Sequence, residues 1–148
     1  GSGFESEAWP LPAVDPKRVA LVGTRLLDDG ERRLLRDAGV RVFTMSEIDR
    51  VGIERATRDA IDHASGPGFL HVSLDLDALD PTVVPGVGTP VNGGLNYREA
   101  HLFMEMIAES ERLTSLDIVE VNPTLDLRNA TAVLGMGLAL SALGMKIL

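Results

Sequence analysis

The chain has 148 residues, and its 14 Lys and Arg against 22 Asp and Glu give a formal charge of -8 at pH 7. This excess of carboxylates disfavours nucleic acid and anionic membrane surfaces as partners. The chain contains no cysteine, which excludes disulfides, thiolate zinc sites and cysteine nucleophiles and fits a cytoplasmic protein. The apolar stretch 130–145 is too short for a comfortable membrane span, so we expect a buried helix there.

The chain is expected to contain two segments of unequal size. Residues 1–17 begin with Gly-Ser-Gly, which looks like a tag remnant, and then carry prolines at 10, 12 and 16. Proline removes a backbone donor and fixes φ, so this segment is expected to be an extended, Pro-rich arm. Residues 18–148 carry the regular patterns and are expected to form one domain.

Strand-like and helix-like patterns alternate after the arm. The strands are continuous apolar runs, and the helices place their apolar residues at a period near 3.6. This alternation predicts an α/β fold of three layers, α-β-α, in which helices cover both faces of a mostly parallel sheet. The expected strands are 18–23, 40–44, 69–75 and 115–121, and the expected helices are 28–38, 46–65, one that begins at 96, and 129–143.

Polar residues mark the expected start of each helix. Their side-chain oxygens can accept hydrogen bonds from the free N–H groups of the first helical turn, which makes them caps. The expected caps are Asp28 or Asp29, Ser46 with Asp49, Asn96 with Glu99, and Asn129.

Asp75 and Asp77 end the third strand, where alternate residues point to the same face of a sheet. Two carboxylates so close repel each other unless a proton or a cation neutralises them. Hard ions such as Mn²⁺, Mg²⁺ and Ca²⁺ prefer oxygen ligands, so the pair is a candidate metal site. Alternatively, the two aspartates only end the strand and cap the next turn. Asp80 precedes a proline and is expected to have a structural role in that turn.

The glycines of the next loop and Glu120 each leave two interpretations open. The glycines of the loop 86–94 either satisfy turn geometry or let the backbone approach a ligand closely. Glu120 follows the fourth strand, at the edge where parallel sheets bind ligands. It either accepts two hydrogen bonds from a guanidinium or binds nearby backbone donors. His71 is expected to pack in the core, and His63 and His101 are expected to have surface or packing roles.

Four segments occur in a distinctive order and spacing. They are Ser-Leu-Asp-Leu-Asp-Ala-Leu-Asp-Pro at 73–81, Gly-Thr-Pro-Val-Asn-Gly-Gly-Leu at 88–95, Tyr-Arg-Glu at 97–99, and Asp-Ile-Val-Glu-Val-Asn-Pro at 117–123. Together they resemble the manganese-dependent ureohydrolases, and the arginases most closely. The resemblance runs from about residue 19 to the end of the chain.

This resemblance implies a reaction and a set of residue roles. The reaction is the hydrolysis of L-arginine to L-ornithine and urea by water that two Mn²⁺ ions activate. The implied fold is the α/β arginase fold, and the implied assembly is a homo-oligomer. The implied roles are Asp75 and Asp77 as Mn²⁺ ligands, Glu120 as the acceptor of the substrate guanidinium, Thr89 as a wall of the same pocket, and Arg98 and Glu105 as subunit contacts.

The resemblance covers the C-terminal half of the family's chain, so a truncated version of the fold is expected. The family's earlier half carries a Gly-Gly-Asp-His and an Asp-x-His-x-Asp stretch with the other four metal ligands, and neither occurs here. No catalytic residue is therefore assigned, and we expect weak Mn²⁺ binding and no activity in isolation. Two alternatives remain: a half-enzyme completed by an N-terminal partner, and a non-catalytic α/β scaffold that self-associates through exposed strand edges.

Overall fold

The structure, a computed structural model, describes residues 13–66 and 68–146. Most of the predicted arm lies outside the described residues, and its end forms a turn of 3-10 helix, Pro16–Arg18, capped by Asp15. No helix within the described ranges is long and apolar enough to cross a bilayer. The elements, labelled in chain order, are β1 (Ala20–Thr24), α1 (Asp29–Ala38), β2 (Arg41–Thr44), α2 (Met45–Val51), α3 (Ile53–Ala64), β3 (His71–Asp75), α4 (Tyr97–Glu109), β4 (Ser115–Val119) and α5 (Ala130–Ala142).

The strands form two parallel pairs. In the first pair, β1 lies beside β2 with Ala20 opposite Arg41, and in the second, β3 lies beside β4 with His71 opposite Ser115. Each pair is one strand–helix–strand unit, because α1 connects β1 to β2 and α4 lies between β3 and β4 in the chain. The α/β class and the parallel pairing are as predicted. Within the described residues, however, no strand ladder joins β1 to β3.

Gly52 divides the helix that was predicted over 46–65. The residue has φ 83° and ψ 152°, a backbone conformation outside the helical region that glycine adopts at little cost. The single-helix prediction was therefore wrong, since α2 ends at Val51 and α3 starts afresh at Ile53. The predicted cap was also wrong, because the hydroxyl of Thr44, and not that of Ser46, accepts a hydrogen bond from the N–H of Glu47.

Helices α1 and α4 start as predicted. The carboxylate of Asp28 accepts hydrogen bonds from the N–H groups of Gly30 and Glu31, and the Glu31 carboxylate accepts the N–H of Asp28. Asn96 and Glu99 make the same reciprocal pair at the start of α4. Both boundaries depend on residues three positions apart, which explains why the sequence alone locates them.

The start of α5 differs from the prediction. Asn129 adopts a left-handed conformation, φ 60°, and its side chain makes no capping hydrogen bond. The carboxylate of Asp126 caps the helix instead, by accepting the N–H groups of Thr131 at 3.0 Å and Ala132 at 3.2 Å. Burial pushes the pKa of Asp126 upward, but hydrogen bonds such as these outweigh it and leave the pKa below its usual value.

A buried helix was predicted in the stretch 130–145. The structure has α5 there, and one face of this helix is buried while the other is exposed. Leu134 and Leu138 lie in the main core, whereas Val133 and Met136 are exposed. The same core contains Leu76 and Leu79, both with no exposed surface. These two leucines flank Asp77, so the apolar core fixes the position of the turn that carries this carboxylate.

His101 is buried between α4 and α5. Its Nδ1 lies 3.0 Å from the hydroxyl of Ser141, and its Nε2 is buried without a hydrogen-bond partner in the described residues. Burial lowers the pKa of His101, while the Glu105 carboxylate opposes this shift and Arg98 adds to it. The folded protein therefore favours the neutral imidazole.

This arrangement predicts a pH-dependent stability. In the unfolded chain His101 has the ordinary histidine pKa of about 6.5. In the folded chain its pKa is lower, so it binds a proton only at lower pH. Stability from this residue is thus fully present above about pH 6.5 and is lost as the pH falls towards the lower, folded pKa. Urea unfolding at about pH 7.5 and at about pH 5.5 checks this. The free energy of unfolding should fall less between these two pH values for His101→Gln than for the wild type. Equal losses would contradict the assignment.

Candidate metal and substrate site

Asp75 and Asp77 meet at the carboxyl end of β3. Asp75 is the last residue of the strand, whereas Asp77 lies in the 3-10 turn Leu76–Ala78. The prediction that both side chains project from one strand face was wrong, because the chain leaves the strand after Asp75. The carboxylate of Asp75 accepts the N–H of Asp77 at 3.1 Å, so it does cap the turn.

The electrostatics of Asp75 show that three carboxylates converge here. Burial is the largest cause that raises the pKa of Asp75, and the neighbouring carboxylates of Asp77 and Glu120 raise it further. The N–H of Asp77 opposes these effects but does not cancel them. A cation would relieve the repulsion, because it favours the charged form of every carboxylate around it.

The donor set fits a hard metal ion in kind but not in number. Asp75 and Asp77 offer carboxylate oxygens, the ligands that Mn²⁺ and Mg²⁺ accept. In residues 13–66 and 68–146, no group of three or more His, Asp or Glu side chains is arranged to hold a metal ion. Because such ions take about six ligands, the two aspartates supply only part of a coordination shell.

Thr89 and Glu120 complete the cluster. The hydroxyl of Thr89 donates to Asp77 Oδ2 at 2.9 Å, so the glycine-rich loop reaches the turn that carries Asp77. Glu120 directly follows β4 and has φ 62°, a left-handed conformation that is uncommon outside glycine. A Cβ on Gly88 would lie 3.2 Å from Glu120 Oε2, which places this carboxylate against the same loop. The structure thus brings together four of the six residues to which the family resemblance assigned roles.

The glycine-rich loop is shaped by contacts within the protein. At Gly94 a Cβ would lie 2.5 Å from the carbonyl carbon of Leu79, and Leu95 exchanges backbone hydrogen bonds with Ala78 and Asp80. The Asp80 carboxylate has the expected structural role, since it accepts hydrogen bonds from both Thr82 donors and from the N–H of Gly93. These bonds lower the pKa of Asp80 to about 2. Turn geometry therefore accounts for Gly94 without a ligand.

Arg25 holds the site together and was not identified from the sequence. It follows β1, and its guanidinium donates to the carbonyl oxygens of Asp77 at 2.7 Å, Val91 at 3.0 Å, and Ala78 and Leu79 at 3.3 Å. Its partners lie 52 to 66 residues away along the chain, so no local pattern could reveal them. The sequence did offer one signal, because Arg25 directly follows an apolar strand, as Glu120 does.

His71 is exposed, so the prediction that it packs in the core was wrong. Its Nδ1 lies 2.7 Å from Ser115 Oγ, and its Nε2 lies 3.1 Å from Asp117 Oδ2. The hydroxyl of Ser73 also donates to Asp117. These side chains form a polar row on one face of β3 and β4, which no described residue covers. Strand parity placed His71 on a face correctly but could not tell which face is buried.

Arg98 and Glu105 both lie on α4, two turns apart. The guanidinium of Arg98 lies 3.3 Å and 3.4 Å from the two carboxylate oxygens of Glu105, and the Arg98 side chain is 65% exposed. The pair is therefore satisfied within one chain and remains accessible. Its predicted role in subunit contacts stays a prediction.

Comparison with known proteins gives the family. The model of the family described as "Arginase family" matches residues 3–144. The chain belongs to the arginase family. The arginases of Bacillus subtilis and Bacillus caldovelox are 47% and 48% identical to it, over 93% of this chain and 46% of each relative. The chain thus spans about half the length of the curated relatives it matches.

Solved structures agree in fold. Arginase from Bacillus subtilis has a TM-score of 0.87 over 90% of this chain and 48% of its own. The proclavaminate amidino hydrolase of Streptomyces clavuligerus, at 28% identity, has a TM-score of 0.77. The α/β fold, truncated relative to these homologues, and the resemblance drawn from the four motifs are therefore confirmed.

Replacement of Arg25 should destabilise the protein and loosen the site. We expect Arg25→Met to lower the free energy of unfolding by about 1.5–3 kcal/mol, because it leaves several partly buried carbonyls without their charged donor. Arg25→Lys should recover only part of this loss, since an ammonium lacks the planar fork. Urea unfolding, with the exposed Arg33→Met as control, measures the effect. Equal stability of the Arg25→Met and Arg33→Met variants would refute the assigned role.

Gly94 offers a second test through its lack of a side chain. We expect Gly94→Ala to lower the free energy of unfolding by about 1–3 kcal/mol through overpacking against Leu79. Gly137→Ala is the matched control, because its Cβ would make ordinary contact with His101 at 3.6 Å. Because alanine favours a helix more than glycine does, this control change is expected to raise the free energy of unfolding by up to about 1 kcal/mol. The idea fails if the two variants change stability in the same direction.

Proposed function

We propose that the chain is the C-terminal half of an arginase-type ureohydrolase, a hydrolase that converts L-arginine and water to L-ornithine and urea. The observation that carries this proposal is the convergence of Asp75, Asp77, Thr89 and Glu120 at the carboxyl ends of β3 and β4. The identity of 47% to 48% to two arginases supports the same reaction class. In this proposal residues 18–148 form the half-domain.

The residues divide the work as follows. Asp75 and Asp77 would hold part of a dinuclear Mn²⁺ centre, and bound ions would supply an activated water nucleophile and charge stabilisation. Glu120 accepts two N–H groups of the substrate guanidinium, which fixes the orientation of its carbon. Thr89 holds Asp77 Oδ2 in place through its hydroxyl. Arg25 keeps the turn of Asp77 rigid, so that the ligand oxygens stay where the ions need them.

The assembly is a second part of the proposal. We assign Arg98 and Glu105 to a contact between copies of the chain in a homo-oligomer. Both side chains lie on the surface of α4, and a guanidinium–carboxylate pair can exchange partners across an interface without leaving a charge unpaired.

Metal binding tests the half-site directly. In a calorimetric Mn²⁺ titration of the chain alone, we expect weak binding that does not saturate below about 1 mM, because two carboxylates leave most positions to water. The double variant Asp75→Asn/Asp77→Asn should remove this heat, and Asp37→Asn on the exposed side of α1 should leave it unchanged. Tight binding that the double variant loses would show that this chain, or its oligomer, supplies the remaining ligands.

Urea release tests the reaction. We expect none from the chain alone with Mn²⁺ and arginine. Mixing the chain with the part of Bacillus subtilis arginase that it does not match should restore urea release, and Glu120→Gln should abolish it. Urea from the chain alone would contradict the proposed dependence on a partner. A mixture that stays inactive would contradict the hypothesis that the chain is one half of an enzyme that the other half completes.

A non-catalytic scaffold is the second candidate, and one observation favours it. Helix α5 exposes an apolar stripe, and stripes of this kind promote association. A stable oligomer of the chain whose melting temperature ignores Mn²⁺ would support this candidate. The stripe consists of Val133, Met136 and Leu140 of α5 and of Leu143, which directly follows the helix, and these are 58%, 60%, 41% and 74% exposed.

A further inference from the structure

The glycine-rich loop contains an asparagine that is directly followed by a glycine. The chain has no glutamine, and its four asparagines are Asn92, Asn96, Asn122 and Asn129. Asn92 precedes Gly93, and an Asn-Gly pair readily loses its side-chain amide. The reason is that glycine has no Cβ to hinder the approach of its own nitrogen to the side chain before it. Asn92 is therefore a candidate site of covalent modification.

The reaction needs only the chain and water. The backbone nitrogen of Gly93 gives its proton to the solvent and attacks Cγ of Asn92. The new N–C bond closes a succinimide ring, and the bond from Cγ to the side-chain nitrogen breaks as ammonia leaves with a proton from water. Water then opens the ring at either carbonyl, so one water is consumed and one ammonia is released. The products are aspartate and isoaspartate, and the latter adds a methylene group to the backbone.

The structure leaves the bond between Asn92 and Gly93 open to solvent. Both residues are exposed. A Cβ built on Gly93 would have no heavy atom within 4 Å. Water can therefore reach the nitrogen that attacks and the ring that it would form.

The other three asparagines are held in ways that oppose the same reaction. Asn122 precedes a proline, which has no N–H to give up. The side chain of Asn96 is engaged as the cap of α4, and it precedes the bulky Tyr97. Asn129 precedes Ala130, whose N–H already donates to a backbone carbonyl at 3.0 Å. Asn92 is thus the asparagine with the fewest obstacles.

A carboxylate holds the nitrogen that must attack. The N–H of Gly93 donates to Asp80 Oδ2 at 2.8 Å. Hydrogen bonds from Thr82 and from Gly93 lower the pKa of Asp80 to about 2, so this carboxylate is ionised at neutral pH. Its negative charge opposes removal of the Gly93 proton, because the amide anion that forms would face it. Asp80 therefore slows the first step of the reaction.

We propose that Asn92 is the position at which the folded chain deamidates, and that Asp80 restrains the reaction by holding the N–H of Gly93. The inference does not depend on the proposed function, since it concerns a spontaneous reaction of the loop itself. Its tests involve neither Mn²⁺ nor arginine, so its failure would leave the proposed function unchanged.

The modification acts on the contacts that hold the loop. The carbonyl of Val91, directly before Asn92, accepts the guanidinium of Arg25 at 3.0 Å, and Gly93 follows with its bond to Asp80. Isoaspartate lengthens the backbone between these two contacts. The new carboxylate also adds a negative charge near that of Asp80, and like charges repel. The modified chain therefore holds this loop less firmly.

Peptide mapping by mass spectrometry tests the site. The chain is aged at mildly alkaline pH and then digested. We expect deamidation at Asn92 before it is detectable at Asn96, Asn122 or Asn129, with isoaspartate among the products. An Asn92 that stays intact, or earlier deamidation at another asparagine, would overturn the assignment of the site.

A charge-removing variant tests the role of Asp80. In Asp80→Asn the new amide precedes Pro81, so no N–H follows it to form a succinimide. We expect Asn92 to deamidate about fivefold faster, the factor that repulsion between unit charges about 4 Å apart gives in water. Asp15→Asn is the matched control, because Asp15 also precedes a proline and accepts a backbone N–H. Equal rates at Asn92 in the two variants would overturn the role of Asp80.

Two further readouts separate this contact from a general loss of structure. In denaturant the bond between Asp80 and Gly93 is absent, so Asp80→Asn and the wild type should lose the Asn92 amide at the same rate. In the folded chain Asp80→Asn should accelerate the reaction at Asn92 alone. A difference that persists in denaturant, or an acceleration shared by Asn96 and Asn129, would overturn the proposed restraint.

Discussion

The guanidinium of Arg25 joins the two strand pairs. Its N–H groups reach the carbonyls of Asp77, Ala78, Leu79 and Val91, so one side chain fixes both the turn of Asp77 and the glycine-rich loop. Arginine suits this task, because its planar fork presents several donors in fixed directions and keeps its charge at any relevant pH. The positions of Asp77 and, through the loop, Thr89 follow from this contact.

The carboxylate cluster works against the stability of the protein. The carboxylates of Asp77 and Glu120 both repel the carboxylate of Asp75, and Glu120 holds a backbone conformation that is uncommon for its residue type. Unfavourable features of this kind persist where the surrounding structure fixes them, and they gather at functional sites. The buried leucines on either side of Asp77 and the hydroxyl of Thr89 supply that support here.

Local signals explain which parts of the structure could be predicted. The caps at Asp28 and Asn96 depend on residues three positions apart, and the strands depend on contiguous apolar runs, so both were found. The break at Gly52 and the cap from Asp126 are local, but Gly52 depends on its own backbone conformation and Asp126 lies five residues before Thr131, so neither follows the spacing of a capping box. The exposure of His71 depends on which face of the strand the rest of the chain covers, which strand parity does not reveal. The site residues were found through motifs, whereas Arg25 makes only long-range contacts and belongs to none of those motifs.

The division into two strand–helix–strand units bears on how the chain folds. The first unit is complete by residue 44, and the second closes over a separation of 44 residues between His71 and Ser115. Because each doubling of loop length costs only about 0.6 kcal/mol in entropy, neither closure is strongly disfavoured relative to the other. The contacts of Arg25 span 52 to 66 residues and need both units in place. During synthesis the first unit can therefore form before the second has been made. The Arg25 contacts that connect the two units form last.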